Sequence, residues 1–217
     1  MKGLLQKDFR LMVKQSKFFT TIAFITVIFA GVVEDISFII SYLTFIGFMF
    51  TLSTISYDEF DNGNAFLFSL PITRRGYVVE KYGFGLLMGG SCWIFATLIA
   101  VVCGQVRRTN SIYDSLAVAF MIIPVMLLLL AIILPFQLKF GGEKGRIAAI
   151  AMVGIVFIVF LGVAKITKTM HIDLSGLLNR IETMDTRMLG VAAIAVSIAV
   201  LLLSGRISIT IMEKKEF

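Results

Sequence analysis

Seven charged residues, Asp58, Glu59, Asp61, Arg74, Arg75, Glu80 and Lys81, crowd into the stretch from Tyr57 to Tyr82, between two long apolar runs. Charges of both signs beside an Ala65-Phe66-Leu67-Phe68 patch suit ion pairing and the docking of a partner. They do not suit bond-making chemistry. The chain has no HExxH, no GxSxG, no Ser/Lys pair within an apolar run and no paired carboxylates on one membrane-helix face, so catalysis has no candidate residues. Glu34 and Asp35 are adjacent, and adjacent residues on a helix point about 100° apart, which makes them a solvated tip rather than a metal pair. Cys92 and Cys103 share one apolar run and read as buried fillers, with no CxxC or Cys/His cluster for a metal or redox centre. The turn from Phe140 to Gly145 fails the phosphate-loop pattern, and His171 reads as a solvated interfacial side chain.

What must position the charged stretch is membrane. Hydrophobic residues make up 58% of the 217-residue chain and charged ones 16%, with a mean hydropathy of +0.94. That composition excludes an ordinary water-soluble domain. The net charge of +6 is spread over short segments between apolar runs rather than along one stripe, which argues against a nucleic-acid partner. A hydrocarbon core of about 30 Å takes about 20 helical residues. On that measure six transmembrane helices are expected, near 18–33, 36–56, 82–106, 115–138, 147–164 and 188–211. With both termini in the cytosol, fourteen of the 20 basic residues fall on the inner side and six on the outer, the bias expected of that orientation. Apart from Arg206 near one end, none of the six runs holds an Asp, Glu, Lys, Arg or His. Gradient-driven carriers keep such groups within the bilayer, so the driving force is expected from outside the chain.

Residues 1–17 read as an amphipathic elbow helix lying among membrane lipid headgroups. Lys7, Arg10, Lys14 and Lys17 recur at spacings of three, four and three, opposite Leu5, Phe9, Met12 and Val13. Residues 18–217 then form one transmembrane domain with a cytosolic loop at 57–81 and an outer amphipathic segment at 165–187, where Leu174, Leu177, Leu178, Ile181 and Met184 follow a cap at Asp173. Within the loop, Asn64 to Leu70 is predicted to make one or two helical turns, stopped by Pro71, that present Phe66, Leu67 and Leu70 to a partner's groove. Thr73 is the expected cap of the next helix. Gly85 and Gly89 form a GxxxG pair, open to packing within the chain or between chains. Trp93 lies mid-run, where its indole N–H needs a partner; it lines either a packed interface or a substrate path.

The loop resembles the D-E-x(n)-L-x-S-L-P-[IV]-[ST]-R-x-x-[IV]-V-x-x-K-Y segment of small six-span bacterial ABC exporter permeases of the ABC-2 type. Asp58, Glu59, Leu67, Ser69, Leu70, Pro71, Ile72, Thr73, Arg74, Val78, Val79, Lys81 and Tyr82 carry the likeness. The opening Met1-Lys2-Gly3-Leu4-Leu5-x-Lys7-Asp8 and the closing Lys214-Lys215-Glu216-Phe217 look similar as well, whereas Arg75-Gly76 stand where the family tends to have less helix-breaking residues. The resemblance implies an all-α, type V exporter-like fold with an elbow helix, a coupling helix between spans two and three and an outer re-entrant element before span six. It also implies a permease paired with a second copy or a related chain on two ABC ATPase subunits, in the bacterial cytoplasmic membrane. ATP and Mg would belong to the ATPase, leaving this chain without a cofactor or catalysis of its own. In that reading Asp58, Glu59, Asn64, Phe66, Leu67, Leu70, Pro71 and Arg74 dock the ATPase. The substrate is amphipathic or hydrophobic, peptides being the common cargo of the family's small permeases. The alternative class is a non-transporting membrane sensor or assembly factor whose loop recruits a cytosolic partner.

Overall fold

The computed structural model describes residues 2–33, 35–60, 63–107, 111–142 and 186–215, with 144, 145, 147, 148, 151 and 154 between the last two segments. Among the described residues the regular structure is helical, with no strand. The elements are α1 (Lys2–Lys14), α2 (Ser16–Val32), α3 (Ile36–Glu59), α4 (Gly63–Ser69), α5 (Arg74–Arg107), α6 (Ile112–Phe140) and α7 (Thr186–Lys214). Four of them, α3, α5, α6 and α7, are long and apolar enough to cross a membrane, and α1 with α2 makes a fifth if that bent pair is one span. The expected span at 147–164 and the outer segment at 165–187 lie almost wholly outside the described residues.

Gln15 is the single non-helical residue between α1 and α2, whose axes diverge by 63°. The far end of α2 is held by Arg107, whose guanidinium donates to the carbonyls of Ala30 and, at 2.9 Å, Val33. A cation there satisfies carbonyls that have no partner within the helix. Asp35, expected as part of a solvated tip, caps α3 by accepting from the Ser37 N–H at 2.8 Å.

The close helix pairs use small residues. A Cβ on Gly89 would stand 2.5 Å from the Phe48 ring of α3, and one on Gly85 would meet Leu130 of α6 at 3.1 Å and Thr51 of α3 at 3.3 Å. Both glycines of the GxxxG pair are therefore spent on packing within the chain. Van der Waals fit of this kind holds membrane helices together, because lipid tails are as apolar as the side chains they would replace. Helix α6 opens with a capping box between Ser111 and Asp114 and carries Pro124 and Pro135 inside one continuous helix. Trp93 packs against it, its indole N–H donating to the Ala119 carbonyl at 3.0 Å. Nearer the other end of the bundle, the Tyr82 hydroxyl lies 2.6 Å from Ser204 Oγ and 2.8 Å from Ser208 Oγ, and Ser204 donates to the Ala131 carbonyl at 2.5 Å. One polar seam thus joins α5, α6 and α7.

Helix α5 starts eight residues before its apolar run. At about 1.5 Å per residue its 34 residues rise roughly 51 Å, well over a hydrocarbon core of about 30 Å. The charged turns from Arg74 to Lys81 therefore project beyond the apolar run that begins at Tyr82. Thr73 makes this possible: its hydroxyl accepts from the Gly76 N–H at 3.1 Å, as an N-cap does at the third helical position. Gly76 suits that place, since a Cβ there would stand 2.8 Å from the Thr73 hydroxyl. The Arg75-Gly76 departure from the family pattern leaves the helix start intact.

Candidate docking site at the base of the bundle

The first turns of α5, the last turns of α3, α6 and α7, helix α1 and the α4 loop meet at one end of the bundle, its base. Helix α4 has two faces. Asn64 and Leu67, three apart, turn inward and are buried, whereas Phe66 and Leu70, four apart, are 71% and 43% exposed. Leu67, expected to face a partner, is instead part of the core: it sits about 100° around the helix from its neighbour Phe66 and shares the inward face with Asn64. Pro71 is exposed beside Leu70, and Phe60, just before α4, is exposed as well. Phe68 lies between the faces, edge-on to Tyr77 and beneath the Arg74 guanidinium.

The stems of this loop are tied to nearly every helix around them. On the N-terminal side, Asp58 at the end of α3 accepts from Lys7, lies 2.8 Å from the Lys81 ammonium and accepts from the Tyr77 hydroxyl at 3.1 Å. Lys81 also donates to Asp8 of α1 at 2.5 Å and to Thr54 of α3 at 3.1 Å. Both Lys81 and Asp8 are fully buried. Next to it on the same stem, Glu59 accepts from the Gly142 N–H just past α6 and from Lys215 at 2.9 Å, and Lys215 also donates to the Leu138 carbonyl at 2.9 Å. Arg74 donates to the carbonyls of Met212 at 3.1 Å and Glu213 at 2.7 Å, at the last turn of α7. The neighbouring carboxylates Asp58 and Glu59 thus fasten opposite halves of the base.

Burial pulls the Lys81 pKa down, but Asp58 and Asp8 outweigh it and hold the ammonium above the usual lysine value. Tyr77 is raised well above the ordinary phenol value, by burial first and then by Asp58. Glu80 is pushed up to about 7, chiefly by burial and against the pull of Lys81. Among the described residues no group of three or more His, Cys, Asp or Glu is placed to hold a metal.

Of the eight residues expected to dock a partner, Phe66, Leu70 and Pro71 face outward, while Asp58, Glu59, Asn64, Leu67 and Arg74 are engaged within the chain. Sequence reasoning met Asp8 and Lys215 only in the terminal stretches that resemble the family and gave neither a place in the site. Asp8 did leave a signal: it falls four residues after Leu4 on the inward stripe of an otherwise basic helix, and an acid on an apolar stripe asks for a buried cation.

The family model for ABC-2 family transporter proteins matches residues 3–213, nearly the whole chain. The chain belongs to the ABC-2 family of transporter proteins. Neither a curated protein nor a solved structure gives a significant match. Membership makes this ABC-2 chain a multi-pass membrane protein and the permease component of an ABC transporter. Permeases of the family are normally non-catalytic and generally work with an ABC ATPase.

Proposed function

We propose that this permease belongs to an ATP-driven exporter. A separate ATPase, present in two copies with ATP and Mg, drives an amphipathic or hydrophobic substrate, of which peptides are the leading class, between this chain and a second copy or related permease. The proposal takes the membrane to be the bacterial cytoplasmic membrane, with six spans, both termini and the base in the cytosol and α1 as an interfacial elbow. The observation that carries the reading is the outward pair of Phe66 on α4 and Leu70 just past its end, standing over loop stems held by Asp58, Glu59 and Arg74. An apolar knob on a braced base suits a partner that must push, since a loose loop would absorb the push.

The neutral apolar runs support an outside source of energy, and the 14-to-6 distribution of basic residues supports a cytosolic base. The test is copurification of the ATPase and ATP-driven export with Phe66→Asp and Leu70→Asp. Both activities should fall at least tenfold while membrane insertion stays intact. Unchanged association and export would overturn the docking role.

A further inference from the structure

Glu80 lies on the face of α5 that packs against α1, and the charges around it do not balance. Lys81 approaches from α5, Lys7 and Asp8 from α1 and Asp58 from α3, giving two ammonium groups against three carboxyls with Glu80 included. An ammonium has three N–H donors. Those of Lys81 are taken by Asp8 at 2.5 Å, Asp58 at 2.8 Å and Thr54 at 3.1 Å. Glu80 is left 3.8 Å from that nitrogen, only 3% exposed, with neither carboxyl oxygen hydrogen-bonded among the described residues. Lys7 is engaged by Asp58. An ionised carboxylate so placed would have lost its water and gained no donor, which a carboxyl avoids by taking up a proton.

We propose that Glu80 is a proton-binding site of the folded chain, neutral when α1 is seated on α5, and that losing its proton to solvent loosens α1 at the stem of the α4 loop. Once ionised, Glu80 adds a third negative charge beside Asp8 and Asp58 and competes with them for Lys81, which helps to tie α1, α3 and α5 together. Burial sets the transition at about pH 7, well above the ordinary carboxyl range. A carboxyl raised in the folded state stabilises the fold fully below its ordinary pKa, and that contribution is lost as pH rises through the folded value. Acid therefore seats α1, and the change falls between about pH 4.5 and about pH 7. The isolated permease carries every group involved, so Glu80 should titrate whether or not the chain exports anything.

The experiment uses the full chain in lipid nanodiscs. Thermal unfolding from about pH 5 to about pH 9 should show the wild type losing stability toward pH 7. Glu80→Gln, which keeps the shape of the neutral acid, should be flat through that range and match the acid form of the wild type. Glu80→Asp should still titrate. Amide hydrogen exchange in α1 should speed several-fold above the transition in the wild type and not in Glu80→Gln. Infrared difference spectra of the wild type alone should show a protonated-carboxyl band that disappears as pH rises through neutrality, a readout independent of whether any variant folds. Parallel pH profiles for wild type and Glu80→Gln, or no such band, would overturn the assignment.

Discussion

The base and the middle of the bundle are held by different physics. In the middle, α3, α5 and α6 meet mainly through shape, with Gly89 under Phe48 and Gly85 under Leu130. At the base α3 and α5 meet each other, α1 and the end of α7 through directional charges, with Lys81 between Asp8 and Asp58, Glu59 on Lys215 and Arg74 on the last carbonyls of α7. A packed face tolerates small slides because many weak contacts trade off. A charge-assisted hydrogen bond keeps its geometry or is lost. The difference suits the proposed exporter, in which the apolar core would shift while the base that docks the ATPase stays in register.

Four substitutions test that contrast, from the largest effect down. Lys81→Met takes the buried cation from between Asp8 and Asp58 and leaves them the half-exposed Lys7, and chemical unfolding in detergent or nanodiscs should show a loss of about 3–5 kcal/mol, the range for breaking a buried ion pair. Gly89→Leu drives a side chain into the Phe48 ring and should cost about 1–3 kcal/mol by the same assay, since an overpacked interface relaxes by shifting its neighbours. If it costs as much as Lys81→Met, the middle is as rigid as the base. Lys215→Met removes a partly exposed pair and a cation at the end of α6, and should lower stability by only about 0.5–1 kcal/mol, an effect weakened by salt. Phe66→Asp should change stability by less than about 0.5 kcal/mol, because that side chain is 71% exposed, while still abolishing association with the ATPase. A large stability loss there would mean that Phe66 is a structural contact.

Much of the local structure was legible because it depends on near neighbours. Pro71 and Thr73 mark the end of α4 and the start of α5, and the two helices stop and start at Ser69 and Arg74. Helical spacing pairs Phe66 with Leu70 and Asn64 with Leu67, but the expectation set Leu67 outward beside Phe66 and Leu70, and the structure turns it inward with Asn64. The GxxxG pair was ambiguous for the same reason. A small face permits close approach without naming the partner, and Phe48 lies 41 residues away from Gly89 in sequence.

The sequence by itself determined that this chain is helical, lives in a membrane and keeps its charge out of the apolar runs, because hydropathy and turn chemistry are properties of adjacent residues. Only the tertiary structure decided that Asp58 turns toward α1 and α5 while Glu59 turns toward α6 and α7. It alone joined Asp8 to Lys81 and left Glu80 without a donor. Those outcomes depend on which groups, 73 or 156 residues apart, compete for a limited number of N–H bonds once the helices are packed, and no local pattern records that competition.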